Sequence, residues 1–217
     1  MATSLMKYIE NYDHIIWDFN GTLVDDTSLC AKLVCRQLTN DNLPSITTEE
    51  YRELFCFPVI KYYEKLGYDF NETCFKKLAK DFIEEYREKV PTIQLFNGTK
   101  EILQNVLDMG MQQSILSAAS QDDLQSMTNF LEITNFFDHI YGLPDHYAAS
   151  KLERGRELIN HSQINTQKTL LIGDTDHDLE VGKALMVDVL LIADGHQTYE
   201  RLTRVHDNVL QSRYDFN

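Results

Sequence analysis

Apolar residues recur along the chain in two rhythms. Short unbroken runs occupy His14-Ile15-Ile16-Trp17, Gln113 to Ser117, Thr169 to Ile172 and Val189 to Ala193. Asp18, Gly173 and the pair Asp194-Gly195 close three of them. Runs of this length, bounded by turn residues, predict buried strands. A shorter candidate spans His139 to Tyr141. Between the runs the spacing becomes helical. From Asn97 to Met109, Ile102, Leu103, Val106 and Leu107 share one face, and Gly110 is placed as the stop. Ser120 with Asp123, and Ser150 with Glu153, have the spacing of capping boxes at helix starts. Strands alternating with helices predict an α/β fold, a Rossmann-like three-layer core with a parallel sheet covered on both faces. Ligands of such sheets bind where strands end and helices begin.

Between Val24 and about Leu95 the strand signals vanish. Phe75, Leu78, Ala79, Phe82, Ile83 and Tyr86 form an apolar stripe at helical spacing, read as core. Pro44 and Pro58 divide the stretch into several helices. The expected organisation is therefore a core domain of residues 1–23 and 96–217, with an all-helical insertion at 24–95 placed after the first strand.

Composition narrows the function. The 217 residues are 43% hydrophobic, enough for a real core. The formal net charge of -14 sets up a field that repels nucleic acid and anionic lipid, so neither is an expected partner. A phosphate-bearing substrate would need local positive charge. Residues 1–11 hold no apolar stretch of signal-peptide length, and no window approaches the roughly 20 apolar residues of a membrane span, so a cytoplasmic location is expected. Cys30, Cys35, Cys56 and Cys74 lack any Cys-x-x-Cys spacing and read as small apolar residues.

Chemistry concentrates at the strand ends. Asp18-Phe19-Asn20-Gly21-Thr22-Leu23 follows the first apolar run directly. An aspartate there is also a residue that ends strands as a turn former, the weaker of the two readings. The hexapeptide nevertheless resembles the first motif of the haloacid dehalogenase-like superfamily, and three further motifs follow in order. Ser117 ends Ser114-Ile115-Leu116-Ser117, and Lys151 opens Ser150-Lys151-Leu152-Glu153, without the proline that often follows that lysine. Gly173-Asp174-Thr175-Asp176-His177-Asp178 follows the third main run. The resemblance spans nearly the whole chain.

It implies a magnesium-dependent phosphatase in which Asp18 is the nucleophile and becomes transiently phosphorylated. An attacking carboxylate is repelled by phosphoryl oxygens unless their charge is neutralised. Mg2+, a hard cation that takes oxygen ligands, would do so on Asp18, the backbone carbonyl of Asn20, Asp174 and, directly or through an intermediary, Asp178. Lys151 would add fixed positive charge. Gly21, Thr22, Ser117 and Ala118 would contact the phosphoryl group. The resemblance makes the insertion a cap that selects substrate; Arg52 and Lys61 are its basic residues to test against a substrate anion, with ordinary solvated charge as the alternative. Asp176 is expected to point elsewhere, His177 has no expected role, and Gly195-His196 could line the site rim, with a simple turn the stronger reading.

Asn20 departs from the pattern. In the phosphatase branch this position is an aspartate that protonates the leaving oxygen and then activates water, and an amide does neither. Three readings stand at this point. Asn20 is native, in an enzyme with a good leaving group or another proton relay; or it is an introduced Asp-to-Asn change; or the protein binds a phosphorylated metabolite as a sensor or regulator. Dehalogenation is disfavoured by the complete Asp18, Lys151, Asp174 and Asp178 set. Overall the chain looks closest to phosphoglycolate phosphatase-like members, which implies a small phosphorylated metabolite. Its oligomeric state stays open.

Overall fold

The structure is a computed structural model that describes residues 4–70, 72–144 and 150–214. Six strands form one parallel sheet: β1 (His14–Trp17), β4 (Gln112–Ser120), β5 (His139–Leu143), β6 (Thr169–Gly173), β7 (Asp188–Ile192) and β8 (Val209–Leu210). Their order is β5-β4-β1-β6-β7-β8, which places β1 at the centre between β4 and β6.

Period-two alternation sorts the strand side chains to two faces. Ile15, Trp17, Ile115, Leu170 and Ile172 pack on one side with α1 (Ser4–Ile9), α6 (Thr99–Asp108) and α7 (Gln121–Phe130). Ile16, Leu116, Leu171 and Leu191 pack on the other with α8 (Lys151–His161), α9 (Asp176–Leu185) and α10 (Tyr199–Thr203). The three-layer α/β architecture is thus as the sequence pattern implies. Gly110, at φ +76, follows the end of α6, where a residue with a Cβ is disfavoured.

Among the described residues four α-helices stand between Val24 and Leu95: α2 (Thr27–Asn40), α3 (Thr48–Leu54), α4 (Val59–Lys65) and α5 (Glu72–Lys89). Cys30, Ala31, Val34, Leu38, Tyr51, Tyr62, Tyr63 and Leu66 form an apolar cluster of their own there. The side chains of Phe75, Leu78, Phe82 and Tyr86 are only half-buried against it, so the stripe read as core is the inner face of an outer helix. Strand structure does not vanish either. At the foot of these helices β2 (Val24–Asp25) pairs antiparallel with β3 (Gln94–Leu95). A two-residue strand is too short to carry a period, as is β8, which the sequence pattern also missed. Cys30 is buried and Cys35 and Cys56 half-buried, all as free thiols; the side chain of Cys74 lies outside the described residues. Among the described residues no helix is long and apolar enough to cross a membrane.

Candidate active site

Sheet register brings the motif residues to one end of the core. Trp17 pairs with Ile115 on one side and Ile172 on the other, so the ends of β1 and β6 lie level with each other and beside Leu116 and Ser117 within β4. Asp18 continues β1 by donating its amide to Ile172 O at 2.8 Å. In the same register it stands level with Leu116, one residue short of buried Ser117. β4 runs on past the expected strand end at Ser117 to Ser120, which caps α7 where the Ser120–Asp123 spacing places the helix start. The Ser117 Oγ accepts from the Ala119 amide at 3.1 Å, and Ala118 is half-buried.

Lys151, the first residue of α8, is set by a complete capping box between Ser150 and Glu153. Its buried ammonium bonds to Asp18 Oδ1 and lies 2.6 Å from Asp178 Oδ1. Asp178 closes a second capping box with Thr175 at the start of α9. Its other oxygen accepts from Thr175 Oγ1 at 2.6 Å and the Thr175 amide at 3.0 Å. One oxygen therefore holds the lysine and the other holds the loop. Asp174 accepts from Thr22 Oγ1 at 3.0 Å and from the His196 amide at 2.5 Å. The glycines of these turns are steric necessities, because a Cβ at Gly21 (φ +76) or Gly195 would run into the Asp174 carboxylate, and one at Gly173 into Asp178.

Three buried carboxylates, Asp18, Asp174 and Asp178, have oxygens within 4.8 Å of one another, and the Lys151 ammonium alone answers two of them. Burial pushes the Asp18 carboxyl up to about 8, against the pull of Lys151 and with the repulsion of Asp178 and Asp174. Burial pushes Asp174 up to about 6 in the same way, opposed by His196. For Asp178 burial is outweighed by Lys151 and the Thr175 bonds, and its pKa falls below the usual carboxylate value. Lys151 is driven up, because the two carboxylates overcome the effect of burial. An excess of buried negative charge lined by hard oxygens fits a divalent cation such as magnesium.

A second buried polar network adjoins this one. Asp26, just before α2, accepts from the Gly21 amide at 3.0 Å, Asn20 Nδ2 at 2.7 Å and the Tyr86 hydroxyl at 2.6 Å. His196 Nε2 lies 3.4 Å from the same carboxylate, and its Nδ1 lies 3.0 Å from Tyr51 Oη. Sequence reasoning missed Asp26, Tyr51 and Tyr86 and read Gly195-His196 as a simple turn. No local spacing links residues from four segments, and the one available signal was a carboxylate six residues after Asn20.

The remaining expected site residues are placed as follows. The Gly21 amide is engaged by Val24 O as well as Asp26, and the Thr22 hydroxyl holds Asp174. Arg52 binds three loop carbonyls, those of Ala193, Gly195 and Gln197, at 2.7 to 3.1 Å. Its guanidinium therefore ties α3 to the loop carrying His196. Lys61 is solvent-exposed and paired with Glu64 at 3.0 Å. Asp176 points away from the cluster, to Gln197 and Arg201, as expected. His177 stacks on Phe57.

A sequence profile described as haloacid dehalogenase-like hydrolase matches residues 15–192. No curated protein matches the chain. A haloacid dehalogenase-like family hydrolase from Streptococcus pneumoniae superposes with a TM-score of 0.78 at 21% identity, covering 94% of this chain and 95% of that one. A haloacid dehalogenase-like hydrolase structure from Bacteroides fragilis gives 0.81 at 18% identity, covering 93% and 97%. A predicted phosphoglycolate phosphatase from Haemophilus somnus gives 0.74 at 17% identity, covering 94% and 96%. At these identities the likeness is one of fold.

Proposed function

The chain belongs to the haloacid dehalogenase-like hydrolases, and from that premise we propose that it is a phosphatase of small phosphorylated metabolites that works through an aspartyl-phosphate on Asp18. The observation that carries this reading is the buried contact of Lys151 with both Asp18 and Asp178, beside Asp174. Asp18, Asp174 and the backbone carbonyl of Asn20 would hold Mg2+, which supplies neutralising charge for the phosphoryl oxygens.

The chain's own residues do the rest. Lys151 keeps the Asp18 carboxylate oriented and presents positive charge to the incoming phosphoryl group. An Asp18 oxygen attacks phosphorus, the leaving group departs with its electron pair, and water then releases phosphate from the aspartyl-phosphate. Ser117 would donate its hydroxyl to a phosphoryl oxygen. Thr22 and the His196 amide fix Asp174, and Thr175 fixes Asp178. Residues 24–95 serve as the cap, with their aromatic cluster closing over the site.

The test is turnover of an aryl phosphate with and without magnesium. Expected are dependence on the metal, trapping by beryllium fluoride, and loss of turnover in Asp18→Asn. Unchanged turnover in Asp18→Asn would remove the nucleophile assignment. A second reading, a sensor or regulator that binds a phosphorylated metabolite, is favoured by one observation: Asn20 has no proton to transfer. Tight phosphate-ester binding with no turnover of any ester identifies that case.

A further inference from the structure

Asn20 lies two residues beyond Asp18 on the segment that presents the nucleophile. Its Nδ2 donates to Asp26 Oδ2 at 2.7 Å and to Tyr86 Oη at 2.8 Å, so both amide hydrogens are committed. The amide is not free to flip. Asp26 is ringed by donors, namely the Gly21 amide, the Tyr86 hydroxyl and the His196 ring, and a carboxylate so placed has nothing to give an amide oxygen. Oδ1 is left as the one polar atom of this half-buried side chain without a partner among the described residues, and it is purely an acceptor.

The neighbours do not replace the missing proton donor. The Tyr86 hydroxyl hydrogen is directed to Asp26 at 2.6 Å, and the two His196 nitrogens face Asp26 and Tyr51. Asn20 occupies the position that, by the family resemblance, serves the leaving atom, and a fixed acceptor there would discriminate between leaving atoms. The oxygen leaving an alkyl ester gathers negative charge and would meet the lone pairs of Oδ1 with no hydrogen between them. A leaving nitrogen that bears hydrogen donates to Oδ1 and is held by it. Aryl esters need no proton and are neither helped nor strongly opposed.

Resting on the phosphatase reading above, we propose that the preferred substrate class is the phosphoramidates, small N-phosphorylated amines or guanidines, with Asn20 Oδ1 accepting from the leaving N–H. The substrate's cationic form brings the proton with it. An Asp18 oxygen forms its bond to phosphorus while the P–N bond breaks with its electron pair going to nitrogen, which leaves as the neutral base. Water then attacks phosphorus, the bond to Asp18 breaks to restore the carboxylate, and the proton from water departs on dihydrogen phosphate.

The experiment compares phosphoarginine and phosphoramidate ion with glycerol phosphate and an aryl phosphate on the magnesium-loaded full chain, with non-enzymatic hydrolysis subtracted. Expected is a kcat/KM for the two P–N compounds at least about 10² above that for glycerol phosphate, the scale of the absent acid. Asn20→Ala should lower the P–N compounds about tenfold more than it lowers the aryl phosphate. Asn20→Asp should raise glycerol phosphate and close the gap. Equal wild-type turnover of glycerol phosphate and the P–N compounds, or equal losses on aryl and P–N compounds in Asn20→Ala, overturns the proposal. Asp18-dependent aryl turnover with inert P–N compounds removes this inference and leaves the phosphatase reading standing; inertness toward every class removes both.

Discussion

Asn20 Nδ2 sits 2.7 Å from a carboxylate oxygen of buried Asp26, so the amide at this position is matched to a fixed acceptor. An aspartate at this position would lack that donor. Asn20→Asp sets a second carboxylate against the first, and the pair must share a proton. Its folded pKa rises above the unfolded value, so stability falls as pH rises past about 4. We expect a loss on the order of 1–3 kcal/mol near neutral pH, recovered in Asn20→Asp/Asp26→Asn. Urea unfolding at pH 5 and pH 8 reads both effects, and a double variant no more stable than the single one would contradict the pairing.

Stability without metal should decline toward alkaline pH. Asp18 is raised to about 8 and Asp174 to about 6, mainly by burial, so the folded state binds protons that the unfolded chain has released. His196 is raised to about 9, because Asp26 overcomes its burial, and its contribution is complete below 6.5 and lost as pH passes 9. His14, lowered to about 4 by burial, acts oppositely, but only below 6.5. The melting temperature in chelator should therefore fall from about pH 6.5 to 9. Added Mg2+ favours the ionised carboxylates and should raise it more at the upper end of that range. A magnesium increment independent of pH would separate the metal from these groups.

Lys151 is the ammonium shared by Asp18 and Asp178. Removing one partner of a buried ion pair typically costs about 3–5 kcal/mol, so Lys151→Met should unfold at markedly lower denaturant and lose turnover even where magnesium restores the fold. A folded variant that retains turnover would show that the lysine does not position Asp18.

Arg52 and Lys61 should part company. Arg52→Ala leaves three loop carbonyls without their donor and frees the segment whose His196 amide holds Asp174. A loss on the order of 2 kcal/mol and reduced turnover of all substrates alike are expected. Lys61→Ala, on an exposed side chain, should stay within about 0.5 kcal/mol and leave kinetics unchanged. A KM increase in Arg52→Ala confined to one substrate would restore Arg52 as a recognition residue.

The sequence by itself determined the layers of the fold and the order of its chemical groups. Runs such as Ile15-Ile16-Trp17 are long enough to carry a strand signal, and Asp18, Lys151 and Asp174 each follow or begin an element whose boundary is written locally. Where the signal was shorter than one period, at Val24–Asp25, Gln94–Leu95 and Val209–Leu210, only pairing with a partner strand made the element. The network around Asn20 was decided by tertiary structure alone. Asp26, Tyr51, Tyr86 and His196 lie up to 170 positions apart along the chain, and each taken singly is an ordinary polar or aromatic residue. Folding buries them together, and burial requires every donor to find an acceptor. That requirement turns Asn20 from an apparent defect in a motif into the donor that Asp26 and Tyr86 both engage.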